Sequence, residues 1–216
     1  MRSLPSLIIA VILTAYWGRV VRLVYKTRKN TGHGANFAPP EPVGRLLRFI
    51  WIPLVGIWIL HPYITAFTAT DHLPRPLRPL FLSAGLSWSA AAVAAMALAG
   101  TLICWKKMGK SWRMGIDPAE KTQLIFTGPY AYVRHPIYAL SSLLMLATLA
   151  AVPSPLMLAA AATHLLLLQW EARREENHLA AHHGQSYLDY CRQVGRFLPR
   201  SLHPYQPGTA ANVASR

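Results

Sequence analysis

Residues 138–170 read YALSSLLMLATLAAVPSPLMLAAAATHLLLLQW, and this stretch decides the fold. It contains no Asp, Glu, Lys or Arg, and it is interrupted once, by Pro153-Ser154-Pro155. Proline cannot continue a helix interior without losing a backbone hydrogen bond, and so short a connection joins antiparallel neighbours. Tyr138 to Val152 and Pro155 to Trp170 are therefore expected to form a helical hairpin that turns around at one face of a bilayer.

Three longer charge-poor stretches lie upstream, at Leu4 to Tyr25, Leu46 to Ala69 and Pro79 to Trp105. Each approaches or exceeds the ~20 residues a helix needs to cross ~30 Å of hydrocarbon. The expected class is an all-α polytopic transmembrane protein of five spans, with a C-terminal hairpin and a following amphipathic helix. Composition agrees: 53% of the residues are hydrophobic and only 14% charged, against roughly 25% charged in a soluble domain. Residues 1–105 are read as three spans, 106–205 as the region bearing the polar chemistry, and 206–216 as a small, polar, flexible tail.

Lys and Arg number 22 against 8 Asp and Glu, a net charge of +14. The cations are unevenly placed. Arg19, Arg22, Lys26, Arg28, Lys29, Arg45 and Arg48 flank the first connection, and Lys106, Lys107, Lys110, Arg113, Lys121 and Arg134 the third. Cytoplasmic loops carry the excess of Lys and Arg. The expected topology puts the N-terminus outside a bacterial inner membrane and the first and third connections and the tail inside, with anionic membrane lipids as neighbours. The apolar run from Met1 to Ile12 superficially resembles a signal peptide, but no small-x-small cleavage site precedes Tyr16 and Trp17, so it reads as the first span. Cys104 and Cys191 match no zinc or redox spacing and read as free thiols.

Polar chemistry concentrates at two places. In Gly128-Pro129-Tyr130-Ala131-Tyr132-Val133-Arg134-His135-Pro136-Ile137-Tyr138, Pro136 suits the first turn of a helix, which sets Arg134 and His135 at an electropositive helix start. His135 and Tyr138, three apart, share a face. An interfacial aromatic belt with a snorkelling Arg would explain the residue types but not their crowding at one helix start. The second place is Glu171, Glu175 and Glu176 with His178 and His182, on a polar helix leaving the membrane and broken near Gly184 and Gly195. Glu175-x-x-His178 has metal-ligand spacing, but a bundle metal site needs a second such motif, and none exists, so no metal is expected. A simpler reading pairs Glu171 and Glu175 with Arg173 or Arg174. Together the two clusters suit a zwitterion, its carboxylate at the helix start and its ammonium at an acid.

Arg134-His135-Pro136-Ile137-Tyr138, with Leu124-Ile125-Phe126-Thr127-Gly128-Pro129-Tyr130 before it and Glu175-Glu176, Gly184-x-x-Tyr187-x-x-Tyr190 and Phe197-Leu198-Pro199 after it, resembles the isoprenylcysteine carboxyl methyltransferase family of integral membrane enzymes. The resemblance implies S-adenosylmethionine as cofactor. By matching position it implicates Gln123, Leu124, Ile125, Tyr130, His135, Pro136, Ile137, Tyr138 and Glu175 in holding it, and Asp117 near another cofactor position. Where that family has an arginine four residues before the paired glutamates, this chain has Glu171, which disfavours a carboxylate acceptor. Arg134, His135, Tyr138 and Glu171 are the candidate catalytic groups. The expected activity is methyl transfer to a lipid-borne or small apolar acceptor, with no nucleic-acid partner. The alternatives are an NADPH-dependent membrane reductase of apolar substrates and a non-enzymatic module binding anionic lipid.

Overall fold

A computed structural model describes residues 3–31, 42–81, 83–109, 112 and 124–207. Six α-helices form the described chain: α1 Ser3–Thr31, α2 Pro42–Phe67, α3 Ala84–Met108, α4 Pro136–Ala151, α5 Pro155–His183 and α6 Gln185–Gln193. Short 3-10 turns precede α3, at Thr70–His72, and α4, at Gly128–Ala131.

Three helices, α1 to α3, are long and apolar enough to cross a membrane. The expected count of five spans is not reached on that measure, and the reason is length and charge. The apolar helix α4 has 16 residues, about 24 Å at 1.5 Å per residue, short of a ~30 Å core. Helix α5 runs unbroken for 29 residues, but only its first half is apolar, and from Glu171 onward it is charged. The hairpin itself is present. Ser154 caps α5 by accepting from the Met157 N–H at 3.1 Å, and Pro155 occupies the first turn, where a missing N–H costs nothing.

The hairpin turn lies at the same end of the bundle as the α2–α3 connection. Leu80 N–H donates to Pro153 O at 2.6 Å and Leu156 N–H to Pro76 O at 3.0 Å, while His61 on α2 reaches Leu77 O and Ser154 Oγ. Helix α3 presents a seam of Ala90, Ala94, Ala97 and Thr101, all buried, spaced to face α4 and small enough for close approach. A Cβ on Gly100 would meet Leu140 of α4 at 3.1 Å.

Polar side chains are paired inside the apolar bundle. Trp58 donates to Thr148 Oγ1 at 3.0 Å. His164, fully buried on α5, lies 3.1 Å from Ser141 Oγ of α4 and accepts at 3.4 Å from Trp51 of α2. Each pairing removes a donor or acceptor that hydrocarbon would leave unmet.

Beyond the apolar half, α5 stops at Gly184, whose φ of +56° suits a residue without a Cβ. The chain then folds back as α6, and Tyr187, Tyr190 and Val194 form a second, smaller core with Leu124 and Phe126 packed against it. This end of the bundle carries Arg28, Lys29, Lys106 and Lys107 in the last turns of α1 and α3.

On the positive-inside expectation, the α2–α3 connection and the basic end lie on opposite sides of the membrane. In a variant lacking Cys104 and Cys191, a cysteine at exposed Asp71 is expected to react with an impermeant maleimide in intact cells, and one at Gln185 only after permeabilisation. Labelling of both from the same side would overturn the topology.

Candidate active site

Arg134 and His135 are held by the chain that returns after α6. Val133 and Gly195 form a parallel bridge; Arg134 N–H donates to Gly195 O at 2.8 Å and His135 N–H to Arg196 O at 3.0 Å. Gly195 is obligatory there, because a Cβ would sit 1.9 Å from the Leu198 carbonyl oxygen. Tyr190 donates its hydroxyl to Tyr130 O at 2.6 Å, and Tyr205 N–H donates to Ala131 O at 2.9 Å. The helix start expected at Pro136 is therefore real, with His135 as its N-cap.

The two adjacent glutamates of α5 have separate tasks. Glu176, its side chain 11% exposed, accepts from Arg134 Nε at 3.0 Å and Arg196 Nε at 2.9 Å, and lies 3.2 Å from His135 Nε2. Burial alone would raise this carboxyl, but the hydrogen bonds from His135, Arg196 and Arg134 outweigh it and hold the group well below the usual carboxylate range. Arg134 is in turn fully engaged, donating also to the Cys191 and Val194 carbonyls. Glu175, by contrast, is 34% exposed and lines a cavity. It accepts from the Tyr138 hydroxyl at 3.2 Å and lies 3.6 Å from His135 Nδ1. The rings of His135 and Tyr138 stack, 5.3 Å between centroids and 7° from parallel, as their shared helix face required.

The cavity encloses about 250 Å³ and runs along α5 from Leu179 to Leu167, a rise of about 18 Å. One end is walled by Leu124, Ile125, Tyr130, His135, Tyr138 and Glu175, and Pro136 and Ile137 also line it. Midway lies Glu171, accepting from Arg174 Nη1 at 2.8 Å with Arg48 of α2 facing it. Burial raises the Glu171 carboxyl above its ordinary range, against the pull of Arg174. The other end is aromatic, formed by Tyr16 and Trp17 of α1, Trp51 of α2 and Trp105 of α3.

The expected site residues Arg134, His135, Tyr138, Glu171, Leu124, Ile125, Tyr130, Pro136, Ile137 and Glu175 thus all border one cavity. Asp117 and Gln123 lie outside the described residues. Not expected were Glu176 and Arg196 as the clamp behind the site, and Arg48 with the α1 and α2 aromatics as its far wall. Among the described residues no three His, Cys, Asp or Glu side chains converge as a metal-holding group.

Residues 87–186 match the phospholipid methyltransferase family. Over 116 residues the chain is also 29% identical to the nickel-cobalt-cadmium resistance protein NccN of Alcaligenes xylosoxydans xylosoxydans, an alignment covering 53% of each. The chain thus spans about half the length of this curated relative. The matched segment runs from α3 through the cavity-lining part of α5 to the start of α6, and it leaves out α1 and α2. It supports membrane methyltransferase chemistry at the level of that family.

Glu176→Gln is expected to cost about 3–5 kcal/mol, since it strips the compensating charge from buried Arg134. A carboxyl whose folded pKa is depressed stabilises above its unfolded value, about 4.3, and loses that contribution as pH falls towards the folded one. Thermal unfolding in detergent should therefore show wild-type stability declining below about pH 4.3, with a shallower decline in Glu176→Gln. Parallel profiles would remove Glu176 as the clamp.

Proposed function

We propose that the protein is an integral membrane methyltransferase that uses S-adenosylmethionine to methylate a lipid-borne or apolar acceptor with a neutral or amine-bearing reacting group. The observation that carries this reading is the two-ended cavity. Its basic end offers an acid and an apolar-aromatic wall, and its other end is lined by aromatics of α1, α2 and α3. The residues fit the cofactor. Glu175 has an accessible carboxylate for an ammonium, oriented by Tyr138; Leu124, Ile125 and Tyr130 offer a face for adenine; and Glu171 and Glu175 favour a sulfonium, while of the lining cations Arg134 is answered by Glu176 and Arg48 faces Glu171.

Bound S-adenosylmethionine supplies an electrophilic methyl on a cationic sulfur, transferable by direct displacement. The protein's share is alignment and exclusion of water. Glu175 and Tyr138 fix the amino-acid end, and the stacked His135 ring holds Tyr138 in place. Glu171, one turn nearer the aromatic end than Glu175, takes up the proton released by a protonated or neutral acceptor, a task its raised pKa favours. A nicotinamide cofactor fits less well. Its phosphates need free cations, whereas Arg134 is bound to Glu176 and Arg174 to Glu171.

Calorimetry with S-adenosylhomocysteine, NADPH and anionic lipid, run side by side, is expected to give saturable binding of the first. Glu175→Gln should weaken it by about 1.5–3 kcal/mol, the worth of a charge-assisted hydrogen bond, with little change in thermal stability because the amide still accepts from Tyr138. Equal affinity in wild type and variant would take Glu175 out of the site.

With radiolabelled S-adenosylmethionine, an amine-bearing apolar acceptor should be methylated at least about tenfold faster than a farnesylcysteine analogue, a difference of about 1.4 kcal/mol. Glu171→Arg is expected to narrow that ratio by supplying a cation to the carboxylate. Efficient methylation of the farnesylcysteine carboxylate by the unmodified protein would overturn the assignment of the acceptor.

A further inference from the structure

The chain that returns past the site is pinned at two points and projects between them. At the first, His135 N–H donates to Arg196 O at 3.0 Å, and the Phe197 ring turns inward, edge-on to His135 with 6.2 Å between centroids. At the second, Tyr205 N–H donates to Ala131 O while its ring packs on Phe126 and Tyr190. Every residue from 198 to 204 is exposed. Leu198 is 78% exposed and Leu202 87%, so two large apolar side chains are presented outward by a loop fixed at both ends. Water is a poor medium for them. Between them stands Arg200, whose Nη1 donates to the Cys191 and Arg192 carbonyls at 3.4 and 2.8 Å. Among the described residues no carboxylate answers its charge.

Helix register gives the level of this loop. Gly100 of α3 packs against Leu140 of α4, and the two helices run antiparallel, so Pro136 stands about level with Cys104. The apolar run of α3 ends one residue further on, at Trp105, before Lys106 and Lys107. His135 and its partner Arg196 therefore lie where hydrocarbon gives way to headgroups, and the loop leaves the bundle at that level.

We propose that residues 198–204 are a membrane-seated loop, with Leu198 and Leu202 immersed in the adjoining phospholipid leaflet and Arg200 facing its headgroups. Leucines flanking an unanswered cation suit such a boundary, since the apolar side chains enter the acyl layer while the guanidinium stays among anionic phosphates. The same stretch of backbone holds Arg134 and His135, so the seated loop fixes the height of the helix start against the membrane surface. This inference goes beyond the methyl-transfer reading and stands without it.

The test uses the full chain, lacking Cys104 and Cys191, in nanodiscs of phosphatidylethanolamine and phosphatidylglycerol. A nitroxide is attached in turn through Leu198→Cys and Leu202→Cys, both at exposed positions where folding does not depend on the side chain. Leu166→Cys, on the apolar half of α5 and 71% exposed, is the lipid-facing reference, and Gln185→Cys the aqueous one. Power saturation compares collisions with oxygen, which concentrates in the bilayer, and with a water-soluble nickel chelate. The logarithm of their ratio should be positive at Leu198 and Leu202, as at Leu166, and negative at Gln185. A negative value at either leucine would overturn the seating. Shielding from both reagents would overturn it too, and spin–spin broadening that disappears on dilution with unlabelled protein would then assign the leucines to a second copy of the chain.

Discussion

Everything at the basic end depends on one carboxylate, that of Glu176. It stands on a helix that has just left the apolar layer, and it is met by two guanidinium groups and an imidazole from separate stretches of chain. A buried ion cluster of this kind is weak evidence for net stability, since desolvation offsets most of its attraction. Its effect is to specify one arrangement. Arg134 can reach Glu176, the Cys191 carbonyl and the Val194 carbonyl together only if α5, α6 and the approach to α4 take the relative positions they do. The cavity wall is a by-product of satisfying that guanidinium.

Adjacent glutamates on one helix point about 100° apart, and this offset divides labour. Glu176 faces inward and is consumed by cations, whereas Glu175 faces the cavity, hydrogen-bonded by Tyr138 with His135 beside it. Glu171, one turn earlier on the Glu175 face, is balanced by Arg174 and faced by Arg48. The cavity therefore changes along its length, from one lightly engaged acid to an answered acid and then to aromatic rings, a gradient suited to an amphiphile.

Much of this was legible in the sequence because it follows from local rules. Pro153-Ser154-Pro155 fixed the hairpin, Pro136 fixed the start of α4, and Gly184 fixed the end of α5, each through a backbone constraint that survives any tertiary context. The gathering of Arg134, His135, Tyr138, Glu171 and Glu175 around one space followed from helix periodicity and a family resemblance. What periodicity does not encode is pairing between distant segments. Arg196 is a single cation in an irregular stretch, and Arg48 reads as one more topology charge beside Arg45. Nothing in the spacing of Trp17 and Trp51 pairs them before the bundle is assembled. Length and apolarity together single out three helices for a related reason: apolarity along α5 ends at Trp170, yet the helix does not, so hydropathy and helix length part company there.

The buried histidine of α5 has a consequence for charge inside the membrane. An indole N–H can only donate, so the nitrogen of His164 facing Trp51, Nδ1, must offer its lone pair. The proton then sits on Nε2, and the ring is neutral and gives its hydrogen onward to Ser141. The bonds run in one sense, from α2 through α5 to α4, each ring passing a hydrogen to the next. Such a chain has polarity, like a row of arrows, and it tolerates no protonated histidine, because Trp51 and a protonated Nδ1 would then confront each other as two donors. The middle of this bundle is thus held uncharged at His164 by the grammar of a single tryptophan, well away from the acids where methyl transfer is proposed.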